Sequence, residues 1–345
     1  MKVNVAVIGA SGYSGLELVR LLSSHPKIKI TALTSEKFAR QPYEQVFPSL
    51  FPFSGIILEP LNPEKIAKKA DFIFTALPHK EAMEVIPFFI SAGKKVVDLS
   101  ADFRFKDCSV YEQWYQKHTA ASLLKRSVYG LTEINRAQIK KAALVANPGC
   151  YPTSVLIPLY PLIKEGLISS QHIIIDAKSG VSGAGRSLNI SSLFCEASES
   201  FKAYNVTKHR HQPEIEEQLS IYAKQLVQVT FVPHLVPMNR GILSTIYVTL
   251  RRDSPVQFII NTVNQYYGKE QFIRIFPEGI LPQTGWVRGS NYCDVGLTKA
   301  HGNRLIIIST IDNLVKGAAG QAVQNMNLML GFKENIALEQ KPLYP

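Results

Sequence analysis

The spacing Gly9-x-x-Gly12-x-x-Gly15 restricts this chain more than any other feature. It follows Met1 to Ile8, a Val/Ile-rich run that predicts a strand leading straight into the glycines. It precedes Leu16 to Ser23, whose apolar period predicts a helix. A strand that turns through three glycines into a helix is how a doubly wound α/β sheet begins. The glycines permit a tight turn and let the backbone approach a pyrophosphate, whose charge meets the helix N-terminus. Gly9, Ser11, Gly12, Tyr13, Ser14 and Gly15 are therefore candidate dinucleotide contacts.

The next strand, Ile28 to Leu33, ends in Thr34-Ser35-Glu36-Lys37. An NAD site usually places an acid there to hold the ribose 2′-hydroxyl. Here Thr34 and Ser35 take the strand end, with Lys37 and Arg40 close behind, which suits the 2′-phosphate of NADP(H). Glu36 is harmless to that reading if it points outward.

Further units repeat the pattern: a strand at Asp71 to Leu77, a helix at Glu81 to Ala92, a strand at Lys95 to Leu99. Strands alternating with helices mean a mostly parallel sheet, and its ligands lie beyond the strands' carboxyl ends. Leu77, Pro78 and His79 lie at one such end. Ser100 to Arg104 lie at another, where Arg104 could clamp an anion bidentately. His79 is expected to be structural.

A second turn of the same kind follows the apolar run Ala142 to Ala146: Asn147-Pro148-Gly149-Cys150-Tyr151-Pro152-Thr153. A helix is expected from about Thr153, with Pro152 in its first turn. A cysteine at such a turn meets backbone N–H groups and a helix dipole, both of which favour the thiolate. Cys150 is the candidate nucleophile; the plainer reading is a small buried turn residue.

Beyond Cys150 the pattern reads as α+β with a mixed or antiparallel sheet. Ser182, Gly183 and Arg186 belong to a glycine-rich loop that could cradle an anion. His209 and His211 flank Arg210 just before a helix. No carboxylate or cysteine stands at ligand spacing, so no metal is expected, and a histidine that activates a distant cysteine is the better use of the pair. Asn313 reads as the N-cap of a last helix to Leu330. The tail from Lys333 to Pro345 is polar and expected to be mobile.

At 345 residues the chain is too long for one ordinary core, and two domains are expected. The boundaries predicted are 1–148 and 149–312, followed by a tail at 333–345. The net charge of +11 is dispersed, with no basic run or nucleic-acid signature, which points to anionic small molecules or an acidic protein partner. Four scattered cysteines suggest neither disulfides nor zinc and fit a reducing cytoplasm. The N-terminal strand lacks the features of a signal peptide, and no apolar run approaches the ~20 residues that span a bilayer.

Taken together, these stretches resemble the N-acetyl-gamma-glutamyl-phosphate reductase family, within the aspartate-semialdehyde dehydrogenase superfamily. The resemblance rests on Gly9 to Gly15, Ala76 to His79, Asp98 to Arg104, Tyr129 to Arg136 and Asn147 to Thr153. It continues through Ser182 to Arg186, His209 to Ile215, Arg240 to Ile242, Gly289 to Asn291 and Asp312 to Gly320, in family order. It implies a Rossmann-type domain completed by the C-terminal helix near 313–331, and a second, catalytic and oligomerising α+β domain. It implies NADPH-dependent reduction of N-acetyl-L-glutamyl 5-phosphate to the 5-semialdehyde in arginine biosynthesis, by a homodimer or homotetramer. Cys150 would be the covalent nucleophile and His209 the acid/base. Arg104, Arg186 and His211 would contact substrate anions, and Leu77, Pro78, Ser182, Gly183 and Asn313 would join the cofactor site. Glu36, Lys80 and Thr132 depart from the family pattern. Two other readings stay open: a relative acting on carrier-linked aminoadipyl phosphate in lysine biosynthesis, and a non-catalytic dinucleotide sensor.

Overall fold

A computed structural model describes residues 2–52 and 55–344. Met1 and Pro345, the outer limits of the expected first domain and tail, lie outside the described residues. The chain divides into two compact units. One runs to Pro148 and takes in Ala318–Glu339; the other holds Gly149–Gly317 and the chain from Gln340 onward.

The first unit contains β1 Val3–Ile8, β2 Ile28–Leu33, β3 Phe72–Thr75, β4 Lys95–Asp98, β5 Val128–Tyr129 and β6 Leu144–Ala146. They form one sheet in the order β2-β1-β3-β4-β6-β5, every pair parallel. Parallel strands covered by helices on both faces must be apolar throughout, and Phe72–Thr75 is buried along its whole length. Strand order reverses between β1 and β3, so the loops after these two strands flank the point where such sheets bind ligands.

The helix Gly320–Met329 belongs to this unit, packing near the helices Tyr13–Ser23 and Thr132–Ile139. It is buried on all sides, and four of its buried residues are the amides Gln321, Gln324, Asn325 and Asn327. Gln321 and Asn325 each donate a side-chain N–H to Gly130 O at 2.8 Å, and Asn325 also donates to Asn147 Oδ1 at 3.1 Å. Such bonds are what make buried amides tolerable.

The segment after this helix is tied to the rest of the chain at several points. Glu334 pairs with Arg136, and Leu338 is 1% exposed. Leu343 N donates to Arg288 O at 2.9 Å. Composition suggested a solvated tail because the buried Leu338 stands among polar residues.

The second unit contains β7 Ile173–Gly180, β8 Lys202–Ala203, β9 Val229–Val236, β10 Ile242–Thr249, β11 Ile273–Ile275, β12 Cys293–Lys299 and β13 Arg304–Ile311. Their order is β11-β12-β13-β10-β7-β9-β8. The sheet is mixed: β10 runs antiparallel to β7 and β13, while β7 pairs with β9 in parallel. Burial alternates along β7, with Ile173 and Ile175 buried and Ile174 exposed, so only one face of this sheet is covered. The helices Cys150–Lys164, His211–Ala223 and Val256–Tyr267 pack on it.

Two local expectations change. The helix expected from Thr153 begins at Cys150 and continues past Pro158 and Pro161. Pro161 cannot donate to the carbonyl of Ile157; Tyr267 Oη donates to it instead, at 2.7 Å. The last helix is not capped by Asn313. Asp312 Oδ1 accepts from Leu314 N and Val315 N, and a π-helical turn, Val315–Ala319, precedes Gly320–Met329. Among the described residues no helix is long and apolar enough to cross a membrane.

Candidate active site

The glycine loop of the first unit is shaped by close backbone approach. Gly9 has φ +82°, and a Cβ there would lie 2.4 Å from Ala76 O. A Cβ on Gly15 would lie 2.3 Å from Gly9 O. Gly12 caps the helix Tyr13–Ser23 without any side-chain hydrogen bond, so its first-turn N–H groups keep their affinity for an anion. The end of β2 is tied to this loop. Gly9 N donates to Thr34 Oγ1 at 3.1 Å, Ala10 N donates to Thr34 O at 2.9 Å, and the hydroxyls of Ser11 and Ser35 meet at 2.8 Å. Glu36 turns to a different partner, its Oε1 accepting from Leu61 N at 2.8 Å. These residues fit a dinucleotide: a glycine cradle that side chains would fill, at a bare helix N-terminus.

The loops after β3 and β4 are locked together by a buried carboxylate. Asp102 accepts from Lys80 N at 2.9 and 3.1 Å, from Met83 N at 3.1 Å and from Tyr111 Oη at 2.9 Å. The bonds to Lys80 N help hold that residue at φ +81°, a left-handed conformation that suits glycine better. His79 is structural in this arrangement, Nδ1 accepting from Ala101 N at 3.0 Å. Leu77 and Pro78 precede it on the same loop. Asp98 accepts from Thr75 Oγ1 at 2.7 Å and from Ser100. Burial, and then the neighbouring Asp102, push its carboxyl up to about 6. Arg104 is buried, donating from Nε to Asn147 O and from Nη2 to Leu99 O, both at 2.8 Å. Its guanidinium thus spans the carboxyl ends of β4 and β6.

In the second unit, Cys150 is the first residue of its helix, with Gly149 as a cap that brings no side-chain bond. Gly149 N donates to Glu214 Oε1 at 2.9 Å, and Glu214 is 1% exposed. That carboxylate comes from the first turn of the helix His211–Ala223. Behind the cysteine lies Gly317, where an added Cβ would come within 2.8 Å of Cys150 Cβ. The turn is therefore held on one side by a carboxylate and shaped on the other by a missing side chain.

The two histidines gather beside Tyr151. The rings of His209 and His211 lie 4.9 Å apart, and those of Tyr151 and His209 lie 5.5 Å apart, edge to face. Phe231 and Tyr204 complete the enclosure of His209. Burial, and then the charge of Arg210, push His209 down to about 4, so the imidazole is neutral near pH 7.

Elsewhere in this unit, Asn313 joins two loops. Its Oδ1 accepts from Gly241 N at 2.8 Å, and its Nδ2 donates to Ser182 Oγ at 2.9 Å. Gly183 packs against Ser179, where a Cβ would lie 2.7 Å from Ser179 Oγ. Arg186 follows Gly185, at φ +85°, on an exposed run. The sequence reading missed Glu214, Tyr204 and Asp312. Only Asp312 carried a local signal, since aspartate caps helices as well as the asparagine beside it.

Residues 4–142 match the family model for the semialdehyde dehydrogenase NAD binding domain, and residues 150–313 match that for the semialdehyde dehydrogenase dimerisation domain. Fold and site thus define an oxidoreductase of the semialdehyde dehydrogenase type with a nicotinamide dinucleotide site. The fold agrees with aspartate semialdehyde dehydrogenase II from Vibrio cholerae, TM-score 0.72 at 17% identity over 96% of this chain and 99% of that one. It agrees equally with aspartate semialdehyde dehydrogenase with NADP from Candida albicans, TM-score 0.72 at 18% identity over 97% and 100%. Sequence carries the assignment further. The N-acetyl-gamma-glutamyl-phosphate reductase of Geobacter metallireducens is 55% identical over 99% of this chain and 100% of its own length. That of Pelotomaculum thermopropionicum is 50% identical over 100% of both. The chain belongs to the N-acetyl-gamma-glutamyl-phosphate reductase family.

Proposed function

We propose that the chain reduces N-acetyl-L-glutamyl 5-phosphate to N-acetyl-L-glutamate 5-semialdehyde, with release of phosphate, through a thioester on Cys150. One observation carries this reading: Cys150 opens a helix whose glycine cap is bound by Glu214, from the helix that carries His211 and follows His209. Neutral His209 takes the thiol proton. The thiolate attacks the acyl carbonyl, the tetrahedral oxyanion collapses, and phosphate leaves. When bound, the dinucleotide supplies the hydride that the acyl group needs to become an aldehyde. His209 gives its proton to the developing oxyanion, and takes the hydroxyl proton back as the thiohemiacetal collapses to the aldehyde and the thiolate. Arg104, Arg186 and His211 are the proposed anion contacts for phosphate and carboxylate.

NADP(H) is the proposed dinucleotide. The hydroxyls of Thr34 and Ser35 end β2, Lys37 and Arg40 are exposed beyond it, and Glu36 is occupied by Leu61 N. Gly9, Ser11, Gly12, Tyr13, Ser14, Gly15, Leu77 and Pro78 of the first unit would hold it. The half-exposed face of the second sheet and the dimerisation-domain match support a homo-oligomer. None of the four cysteines forms a disulfide, which is consistent with the cytoplasm.

The test is NADP⁺ reduction with N-acetylglutamate semialdehyde and phosphate, each omitted in turn, with NAD⁺ alongside. Turnover that needs both components and prefers NADP⁺ is expected. Turnover without phosphate would sink the acyl-phosphate route, and a preference for NAD⁺ would sink the cofactor assignment.

A further inference from the structure

His209 sits at the head of a chain of hydroxyls whose direction can be read from its far end. Tyr151 Oη donates to the carbonyl of His234 at 3.2 Å. A carbonyl only accepts, so the Tyr151 proton points away from Tyr204. Tyr204 Oη therefore donates to Tyr151 Oη, at 3.3 Å. With that proton placed, Tyr204 meets His209 Nε2, also at 3.3 Å, as an acceptor. Nε2 must then carry the ring proton. The opposite side of the ring agrees: His209 Nδ1 accepts from His211 N at 3.1 Å, which requires a lone pair there. Two independent sets of contacts demand the same tautomer.

We propose that Tyr204, backed by Tyr151, is a positioning residue that fixes His209 as the Nε2–H tautomer, leaving Nδ1, which must release the His211 N–H, as the nitrogen that takes the thiol proton. This rests on His209 being the proton-transfer residue of the proposed reaction. Which imidazole nitrogen is protonated is decided by the partner of the other. A base held in the wrong tautomer loses most of its rate while its surroundings stay intact. The 3.3 Å contacts are long for hydroxyl bonds, so the ring can leave Tyr204 when a stronger acceptor arrives.

The tautomer is read directly from ring ¹⁵N shifts of histidine-labelled protein near pH 7, with His209→Asn identifying the signal. A protonated Nε2 and an unprotonated Nδ1 are expected. In Tyr204→Phe the Nε2–H proton should lose its hydrogen-bonded shift. There kcat should fall about tenfold while KM for the acyl phosphate changes by less than about twofold. Tyr151→Phe, which breaks only the second link, should lose less. A protonated Nδ1 in the wild type would overturn the proposal, as would a Tyr204→Phe enzyme within about twofold of wild-type kcat. The shifts are measured on the resting protein, so they stand even if the phosphate-dependent assay fails and the reductase reading falls with it.

Discussion

The chain makes the same local construction twice, and the two copies differ in what surrounds them. Gly12 and Gly149 each cap a helix that follows a parallel strand, and neither brings a side-chain bond to the first turn. Around Gly12 the crowding is backbone against backbone, with Gly9 and Gly15 pressed on neighbouring main chain. That leaves a cradle whose contacts to a ligand are main-chain N–H groups. Around Gly149 the contacts are side chains: Glu214 grips its N–H, and Gly317 leaves room for the Cys150 side chain. A bare helix start binds an anion; the same start with a thiol as its first residue, clamped from a second helix, can hold a nucleophile in one orientation. The surroundings, and not the turn, separate the two roles.

Substitutions at each turn should therefore separate binding from chemistry. The largest effect is expected from Gly15→Ala, whose methyl group would meet Gly9 O and Ala10 Cα at 2.3 and 2.7 Å. NADPH affinity should drop on the order of 100-fold, because the backbone must move, while the rate of Cys150 alkylation stays near that of the wild type. Unchanged affinity by fluorescence titration would show that the cradle is not the dinucleotide site. Gly317→Ala should do the reverse: kcat falls roughly 30-fold as Cys150 is displaced, and NADPH binding holds. If both constants move together, the two turns are not separable.

Glu214→Gln keeps the size of the clamp and removes its charge, so the bond from Gly149 N weakens without being lost. A kcat loss of about fivefold to tenfold is expected, about 1 kcal/mol, with dinucleotide affinity unaffected. The smallest effect concerns pH. His209 is pushed down to about 4, below its ordinary value, by burial and Arg210. The base form is thus already present at pH 6, and protonation removes it only as pH falls toward 4. The acid limb of kcat/KM should lie near pH 4 to 5, and a limb near 6.5 would mean that another group, or an exposed imidazole, does the work.

What could be read from the sequence was local. Three glycines at fixed spacing, or a glycine and a cysteine between a strand and a helix, carry their conformation with them. What escaped was set by partners far along the chain. Glu214 meets Gly149 from 65 residues along the chain, and nothing near either residue announces the other. The helix from Cys150 tolerates Pro161 because Tyr267 reaches the carbonyl that the proline orphans. Asn313 looked like a cap because capping residues share one chemistry; Asp312 took the role and left Asn313 to bridge Gly241 and Ser182. Leu338 is one of a few scattered apolar residues in a polar tail, too weak a signal against its surroundings, yet it is buried.

The most direct test of the division between the two turns is to trap the covalent intermediate. The protein is mixed with N-acetylglutamyl phosphate in the absence of nicotinamide dinucleotide, quenched in acid, and analysed by intact mass and peptide mapping. One N-acetylglutamyl group on the peptide that contains Cys150, absent from Cys150→Ser while that variant still binds NADPH, is the predicted result. Acylation at Cys108, Cys195 or Cys293, or none in the wild type, would contradict it.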